Sequence, residues 1–358
     1  MLRFDVPFVP EKSYADFIHE NSSRVYSLYF SLYSPHALDA RHRFEAHEAK
    51  ELAVLLGGIS GVRKYALLNS RFNHPAWYFD PQASADVLET LQALLENQCL
   101  DGVIFGDFYQ LQALSDSSPE LCSALEAVPS INFMPDSLEK VRVLFSEISN
   151  TAFKLPEKIV LDRALNRNMT KLKRISAQIK ELYPHTLIEL LANEGCLYQC
   201  PYKPAHDALI AFCNMSQHPD NTHAINKSLG CMRHLEKWPH HLFASPLIRP
   251  EDANRYSHVA DIIKLCGRNK GDGAFPAMVL GAYLSQSYSG NLLDLTDSME
   301  WLGVKVDIPN QDLPGHFWQT LAYCNKDCLS CNYCQDLYQN FALEKEFALP
   351  DLRSPAGF

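Results

Sequence analysis

Short β-rich runs alternate with helical runs along most of this chain, and that rhythm limits the fold more than any other feature. Eight runs read as strands: Val25–Leu32, Arg63–Leu68, Gly102–Phe105, Ser130–Phe133, Lys158–Leu161, Thr186–Leu191, Phe243–Ile248 and Asp261–Leu265. They are short, apolar or β-branched, and followed by polar residues, Gly or Pro. Helical runs lie between or after them: Leu38–Leu56, Ala83–Asn97, Pro119–Ala127, Ser137–Ile148, Met169–Leu182, Pro204–Asn214, Glu251–Ala260 and Pro276–Ser285. Parallel neighbours need a crossover helix, so strand and helix alternating eight times predicts an α/β chain folded as a (β/α)8 TIM-like barrel. A doubly wound open sheet is the alternative. The 358 residues, 47% of them apolar, suffice for a barrel with insertions. No Gly/Ser tract, charge block or repeat marks a linker. The barrel is expected over 1–306, with a cysteine-rich C-terminal extension over 307–358. The polar stretch Met215–His241 reads as an elaborated loop after the sixth strand, and Ala348–Phe358 as a loosely held end.

A net charge of −10 argues against nucleic-acid binding by bulk electrostatics. It leaves room for an RNA substrate held by a local basic patch. No apolar run reaches about 18 residues, so no membrane span is expected. The start, MLRFDVPFVPEKSY, lacks the long apolar stretch of a signal peptide. A cytoplasmic protein is expected, and there thiols stay reduced. Its eleven cysteines therefore point to metal rather than disulfides.

The thiols concentrate in two segments. In LLANEGCLYQCPYK a buried strand breaks at Asn193-Glu194-Gly195 and then presents Cys196 and Cys200. In CNKDCLSCNYC, Cys324, Cys328, Cys331 and Cys334 fall within eleven polar residues. Four converging sulfurs suit an iron–sulfur cluster or zinc. The first three tail thiols have the C-x3-C-x2-C spacing of radical S-adenosylmethionine enzymes. In those enzymes the motif follows the first strand, whereas here only 24 residues follow Cys334. Ser330 also stands where an aromatic residue is usual, and Cys334 adds a fourth thiol. Cys196 and Cys200 need further ligands. Cys231 is the preferred third, with Cys213, Cys266 or a tail cysteine as alternatives. Core packing is the simpler account of Cys213 and Cys266, and Cys99 and Cys122 receive no role.

Barrel chemistry sits at the C-terminal strand ends. Just beyond the expected strands lie Asn69 and Arg71, Asp107, Asn132, Asp162 with Arg163, Asn193 with Glu194, Arg249 and Arg268. Guanidinium forks match carboxylates and phosphates, so these arginines are candidates for an anion site. They could equally pair with Asp162 and Glu194. The loop GRNKGDGAFP matches no phosphate-binding motif and reads as a tight turn. His206 could serve as acid/base or cap its helix. There is no HExxH, no Gly-x-Ser-x-Gly and no recognisable Ser/His/Asp arrangement, so a classical hydrolase is not supported.

NEGCLYQCP, then SPLIRPEDANRY, then DIIKLCGR, together spanning Thr186 to Arg268, resemble the collagenase-like peptidase family U32. That superfamily includes the UbiU/UbiV proteins of anaerobic ubiquinone synthesis and related RNA hydroxylation proteins. The resemblance implies a barrel with a cysteine-ligated 4Fe-4S cluster at its mouth, held by Cys196, Cys200 and Cys231. It also implies oxygen-independent hydroxylation with prephenate as oxygen donor. Arg163, Arg249 and Arg268 would suit such a small dicarboxylate, with Glu194 and His206 as further catalytic candidates. The tail thiols Cys324, Cys328, Cys331 and Cys334 are an addition to the family pattern and would hold a second cluster. The expected cofactor is thus one or two 4Fe-4S clusters, with zinc as the alternative. Two other readings stand beside this enzyme: a non-catalytic iron–sulfur subunit that needs a protein partner, and a zinc-containing peptidase-like hydrolase.

Overall fold

The computed structural model describes residues 2–32, 38–40, 49–216, 218, 222–268, 270 and 272–345. Eight parallel strands follow one another around a common axis: β1 (Arg3–Pro7), β2 (Val25–Ser31), β3 (Arg63–Leu68), β4 (Gly102–Phe105), β5 (Glu126–Pro129), β6 (Lys158–Val160), β7 (Leu187–Leu191) and β8 (Ile262–Lys264). Their hydrogen-bonded order is β5-β4-β3-β2-β1-β8-β7-β6. Pairing of β8 with β1 carries the sheet round on itself. The remaining seam, between β5 and β6, is spanned by Lys154. Its N–H donates to the Leu125 carbonyl at 2.9 Å, and its carbonyl accepts from the Ala127 N–H at 3.1 Å. The chain is therefore an α/β, TIM-like barrel that is nearly closed.

The helices form where caps and periodicity agree. Ser137 accepts from the Lys140 N–H and starts Leu138–Ser149, and Asn168 accepts from the Lys171 N–H and starts Met169–Leu182. Leu172, Ile175 and Ile179 are buried at helical spacing and pack in the main core.

Two expected strands are replaced by two that were not expected, β1 and β5. β1 was not expected, because RFDVP carries two charges and a proline. It forms because Phe4 and Val6 enter the main core while Asp5 is neutralised by two lysines. Phe243–Ile248 is not a strand. It is the end of the 3-10 turn Pro239–Ala244 and a following coil, apolar because it feeds a second core. Ser130–Phe133 lies just past β5. Ser130 caps a 3-10 turn, Ile131–Phe133, instead of pairing. The helix expected over Pro119–Ala127 stops at Ala124. Glu251–Ala260 holds a 3-10 turn, Pro250–Tyr256, and the stretch read as a loop holds two short helices, His223–Leu229 and Cys231–Lys237. The segment 41–48 of the first expected helix and the end Ala348–Phe358 lie outside the described residues.

The second core joins Leu235, Leu242, Phe243 and Leu247 to Leu292, Leu302, Phe317 and Leu337. It draws on residues from Leu197 to Leu337, so the tail helix Tyr333–Phe341 packs on segments that follow β7. No helix among the described residues is long and apolar enough to cross a membrane.

Candidate functional site

Alternation along the strands turns one face of each inward. On β2 to β5 that face is largely apolar: Tyr29, Tyr65, Leu67, Ile104 and Val128 form a cluster of their own inside the barrel. On β1, β6, β7 and β8 it is charged. Lys158 Nζ lies 2.9 Å from Asp5 Oδ2 and 2.9 Å from Glu189 Oε2. Lys264 pairs with Asp5 and, at 3.3 Å, with Glu189. Ser27 donates to Asp5 at 2.6 Å. Burial pushes the Asp5 carboxyl up, but the two ammonium groups outweigh it and hold its pKa well below the usual range. Burial and the neighbouring Asp5 raise Glu189, which competes for the same two cations. Above this network, at the C-terminal end of the strands, is a cavity of about 530 Å³. Lys158, Glu189 and Lys264 line it together with Leu67, Ile104 and Val128, so one side of the chamber is ionic and the other apolar.

The rim is built by the segment after β7. Asn193 is fully buried, and its side-chain amide donates to the Cys266 and Leu295 carbonyls, both at 3.0 Å. Its Oδ1 accepts from the Cys266 N–H at 2.7 Å. The residues beyond it bridge to Asp297: the Asp297 N–H donates to Asn193 O, and the Gly195 N–H to Asp297 O. Gly195 is required by this approach, because a Cβ there would run into Met299 Cγ and stand 2.7 Å from its Sδ. Gly195→Ala is expected to destabilise the chain by about 1–3 kcal/mol through overpacking, read as a lower thermal midpoint.

Of the expected site residues, Arg163, Glu194, Cys196, Cys200, His206, Cys231 and Arg268 line this one cavity. Arg163 begins the 3-10 turn Arg163–Arg167 after β6, pairs with Glu194, and places Nη1 3.5 Å from Cys196 Sγ. Its Nη2 is buried and has no hydrogen-bond partner among the described residues. Arg268 is gripped by Asp39. Arg249 is not on the cavity wall; it pairs with Asp252 at 2.7 Å and lies 4.4 Å over the Phe317 ring. His206 Nε2 is 3.1 Å from Thr222 Oγ1 and 3.2 Å from Asn226 Nδ2. Asp162 caps the 3-10 turn Arg163–Arg167, and Asp107 caps the helix Phe108–Ser117. Lys158, Glu189 and Lys264 were missed in the sequence. The available signal was a lysine or glutamate inside an otherwise apolar strand, in KIV, IIK and LIELL.

The thiols of the two segments lie apart from each other on the chain, and those after β7 reach the cavity. Cys266 joins Cys196, Cys200 and Cys231 on the cavity wall, whereas Cys213 does not. Burial and Glu194 push the Cys196 thiol up to about 12, against the pull of Arg163. Burial also raises Cys200 and Cys231. These are protonated thiols at neutral pH, so any metal that they take releases protons. In the tail, burial and the three other thiols push Cys334 up to about 11. The donor chemistry in both places suits a soft metal or an iron–sulfur cluster. Among the described residues, however, no three His, Cys, Asp or Glu side chains are gathered as a metal-holding group. Loading would have to draw them together.

No family model matches the chain. A curated protein, the uncharacterized protease MJ1657 of Methanocaldococcus jannaschii, is 29% identical to it over 246 residues, 68% of this chain and 67% of that one. Among solved structures, the U32 peptidase Mk0906 is similar with a TM-score of 0.46 and 15% identity, over 75% of this chain and 94% of that one. The carboxyl transferase domain of Rhizobium etli pyruvate carboxylase is similar with a TM-score of 0.38 and 12% identity, over 82% of this chain and 47% of that one. From Thr186 to Arg268 the chain resembles the U32 peptidase superfamily, and over 68% of its length it is similar to a curated protein named a protease.

Proposed function

We propose that this chain is an iron–sulfur barrel enzyme of the UbiU/UbiV kind. It binds a small carboxylate such as prephenate at Arg163 and hydroxylates an organic or RNA substrate without O2, the carboxylate giving up one oxygen atom and taking the two electrons that the substrate loses. The observation that carries this reading is Arg163 Nη2, a buried donor without a partner on the wall of a 530 Å³ cavity. A buried guanidinium N–H left unmade is costly, and a carboxylate oxygen removes that cost. Glu194 holds the guanidinium from the other side and fixes its direction. Leu67, Ile104 and Val128 offer the apolar body of a ligand a dry wall. His206, on the same cavity, is the group suited to hold or move a proton. Cys196, Cys200 and Cys231 would hold three irons of the cluster and leave the fourth open. A cluster with an open iron supplies Lewis-acid or one-electron chemistry.

The test uses protein purified without oxygen. Prephenate is titrated against it by calorimetry. Prephenate is then incubated with the protein and either total RNA or a phenolic quinone precursor, and products are scored by mass for one added oxygen atom. Binding together with the mass gain supports the reading; absence of both overturns it. A second reading, peptidase-like hydrolysis, rests on the curated relative being named a protease. Cleavage of gelatin or casein by the same preparation, lost on Glu194→Gln, would favour it.

A further inference from the structure

The tail thiols lie outside the reading above, and the charges around them are unbalanced. Arg167 ends the 3-10 turn that Arg163 begins. Its side chain is 4% exposed, and it makes no ion pair among the described residues. Its Nε donates to the Ser245 carbonyl at 2.6 Å and its Nη2 to the Phe243 carbonyl at 3.5 Å. The nearby Asp252 is already taken by Arg249 at 2.7 Å and Arg255 at 3.6 Å. Arg167 lies within electrostatic reach of Cys334. A second cation, Lys326, sits in the loop itself. Its Nζ donates to the Arg167 and Cys324 carbonyls, and no carboxylate pairs with it among the described residues. A buried charge without a counter-charge is expensive, and the missing partner here is negative.

Backbone turns and one N–H to sulfur hydrogen bond fold the loop that carries the four thiols. Lys326 takes a positive φ of 63°, which turns the chain back after Cys324. Its backbone N–H donates to Cys324 Sγ at 3.3 Å. Asp327 O accepts from the Ser330 and Cys331 N–H groups and folds the next turn, which leaves Cys328 and Cys331 exposed. The spacing C-x3-C-x2-C-x2-C packs four thiols into one run. Zinc ribbons separate two Cys pairs by a long segment, whereas compact four-thiol runs are the habit of iron–sulfur sites.

We propose that Cys324, Cys328, Cys331 and Cys334 hold a 4Fe-4S cluster of their own at the protein surface, with Arg167 and Lys326 as the cations that balance it. This site is separate from the mouth thiols and does not depend on the reaction in the cavity.

The experiment compares the full chain with Cys328→Ser/Cys331→Ser, both purified without oxygen. The two positions are exposed, and circular dichroism monitors the fold. The expected result is loss of about four iron and four sulfide per chain relative to wild type, the content of one such cluster. Cys196→Ala should leave that share in place, so failure of the mouth reading and failure of this one are distinguishable. In the loaded wild type, Cys328 and Cys331 should resist iodoacetamide and become labelled once a chelator has stripped the metal. Unchanged metal content in the double variant, or equal labelling with and without chelator, overturns the site. Zinc recovered in place of iron overturns the cluster assignment. Arg167→Gln should move the reduction potential of the tail signal to a more negative value, because it removes a cation that favours the added electron. An unmoved potential overturns the balancing role of Arg167.

Discussion

Asp5→Ala is expected to lower the free energy of unfolding by about 3–5 kcal/mol, the usual cost of removing one partner from a buried ion pair. Asp5 is fully buried between Lys158 and Lys264, and Ser27 donates to it at 2.6 Å. Without it, two ammonium groups face only Glu189 inside the barrel. Urea unfolding of wild type, Asp5→Ala and Asp5→Asn separates charge from packing, because the asparagine keeps the shape. Equal losses in both variants identify the charge as the cause; a loss under about 1 kcal/mol in both would show that the network does not hold the barrel. The pH dependence has a definite sign. The pKa of Asp5 is lower folded than the unfolded value near 3.9. Its contribution is therefore complete above about pH 4 and disappears as the pH falls toward the folded value. The gap between wild type and Asp5→Asn should be full at neutral pH and shrink below about pH 4.

Arg163→Met should weaken binding of a small carboxylate by about a hundredfold, and substrate turnover with it. Truncating one partner of a buried charge pair costs about 2–5 kcal/mol, and each 1.4 kcal/mol is a factor of ten. Arg163 is 7% exposed, faces Glu194 and Cys196, and leaves one N–H unmade. The methionine preserves length and apolar contact but removes the fork. Arg163→Lys keeps the charge with a single point of contact, so an intermediate affinity is expected. Calorimetric titration of prephenate against all three proteins, with thermal midpoints to confirm folding, reads the result. Wild-type affinity in Arg163→Met would remove Arg163 from the site and the proposed function with it. A second readout is the Cys196 thiol, which Arg163 draws downward. In metal-free protein its alkylation should be slower in Arg163→Met at a given pH.

The same number of strands was expected and found, but by cancellation. Ser130–Phe133 stood in for the neighbouring β5, β1 was missed and Phe243–Ile248 was added. The last two errors have one cause: hydrophobic runs report burial, not the partner that buries them. Phe243 and Leu247 are apolar because a second core receives them. RFDVP looked too polar because the two lysines that neutralise Asp5 lie more than 150 residues further on, on β6 and β8.

The site divides in the same way. The NEG break after β7 could be read directly, since a glycine following a buried strand marks a turn, and Gly195 proves to be held against Met299. The spacing of the two thiol segments is local and was equally legible. Which arginine faces the cavity was not. Arg163, Arg249 and Arg268 look alike in sequence, yet only folding sets Arg249 behind Phe317, ties Arg268 to Asp39 and leaves one N–H of Arg163 unmade.

Local chemistry therefore determined the barrel rhythm, the turn at Gly195 and the clustering of the thiols, because periodicity, backbone freedom and short spacings act within a few residues. Tertiary structure alone decided that Asp5, Lys158, Glu189 and Lys264 share one interior, that Cys266 joins the mouth thiols, and that Lys326 of the tail loop donates to the Arg167 carbonyl. Those pairings span up to 259 residues, and electrostatic partnership across that length depends on how the sheet closes.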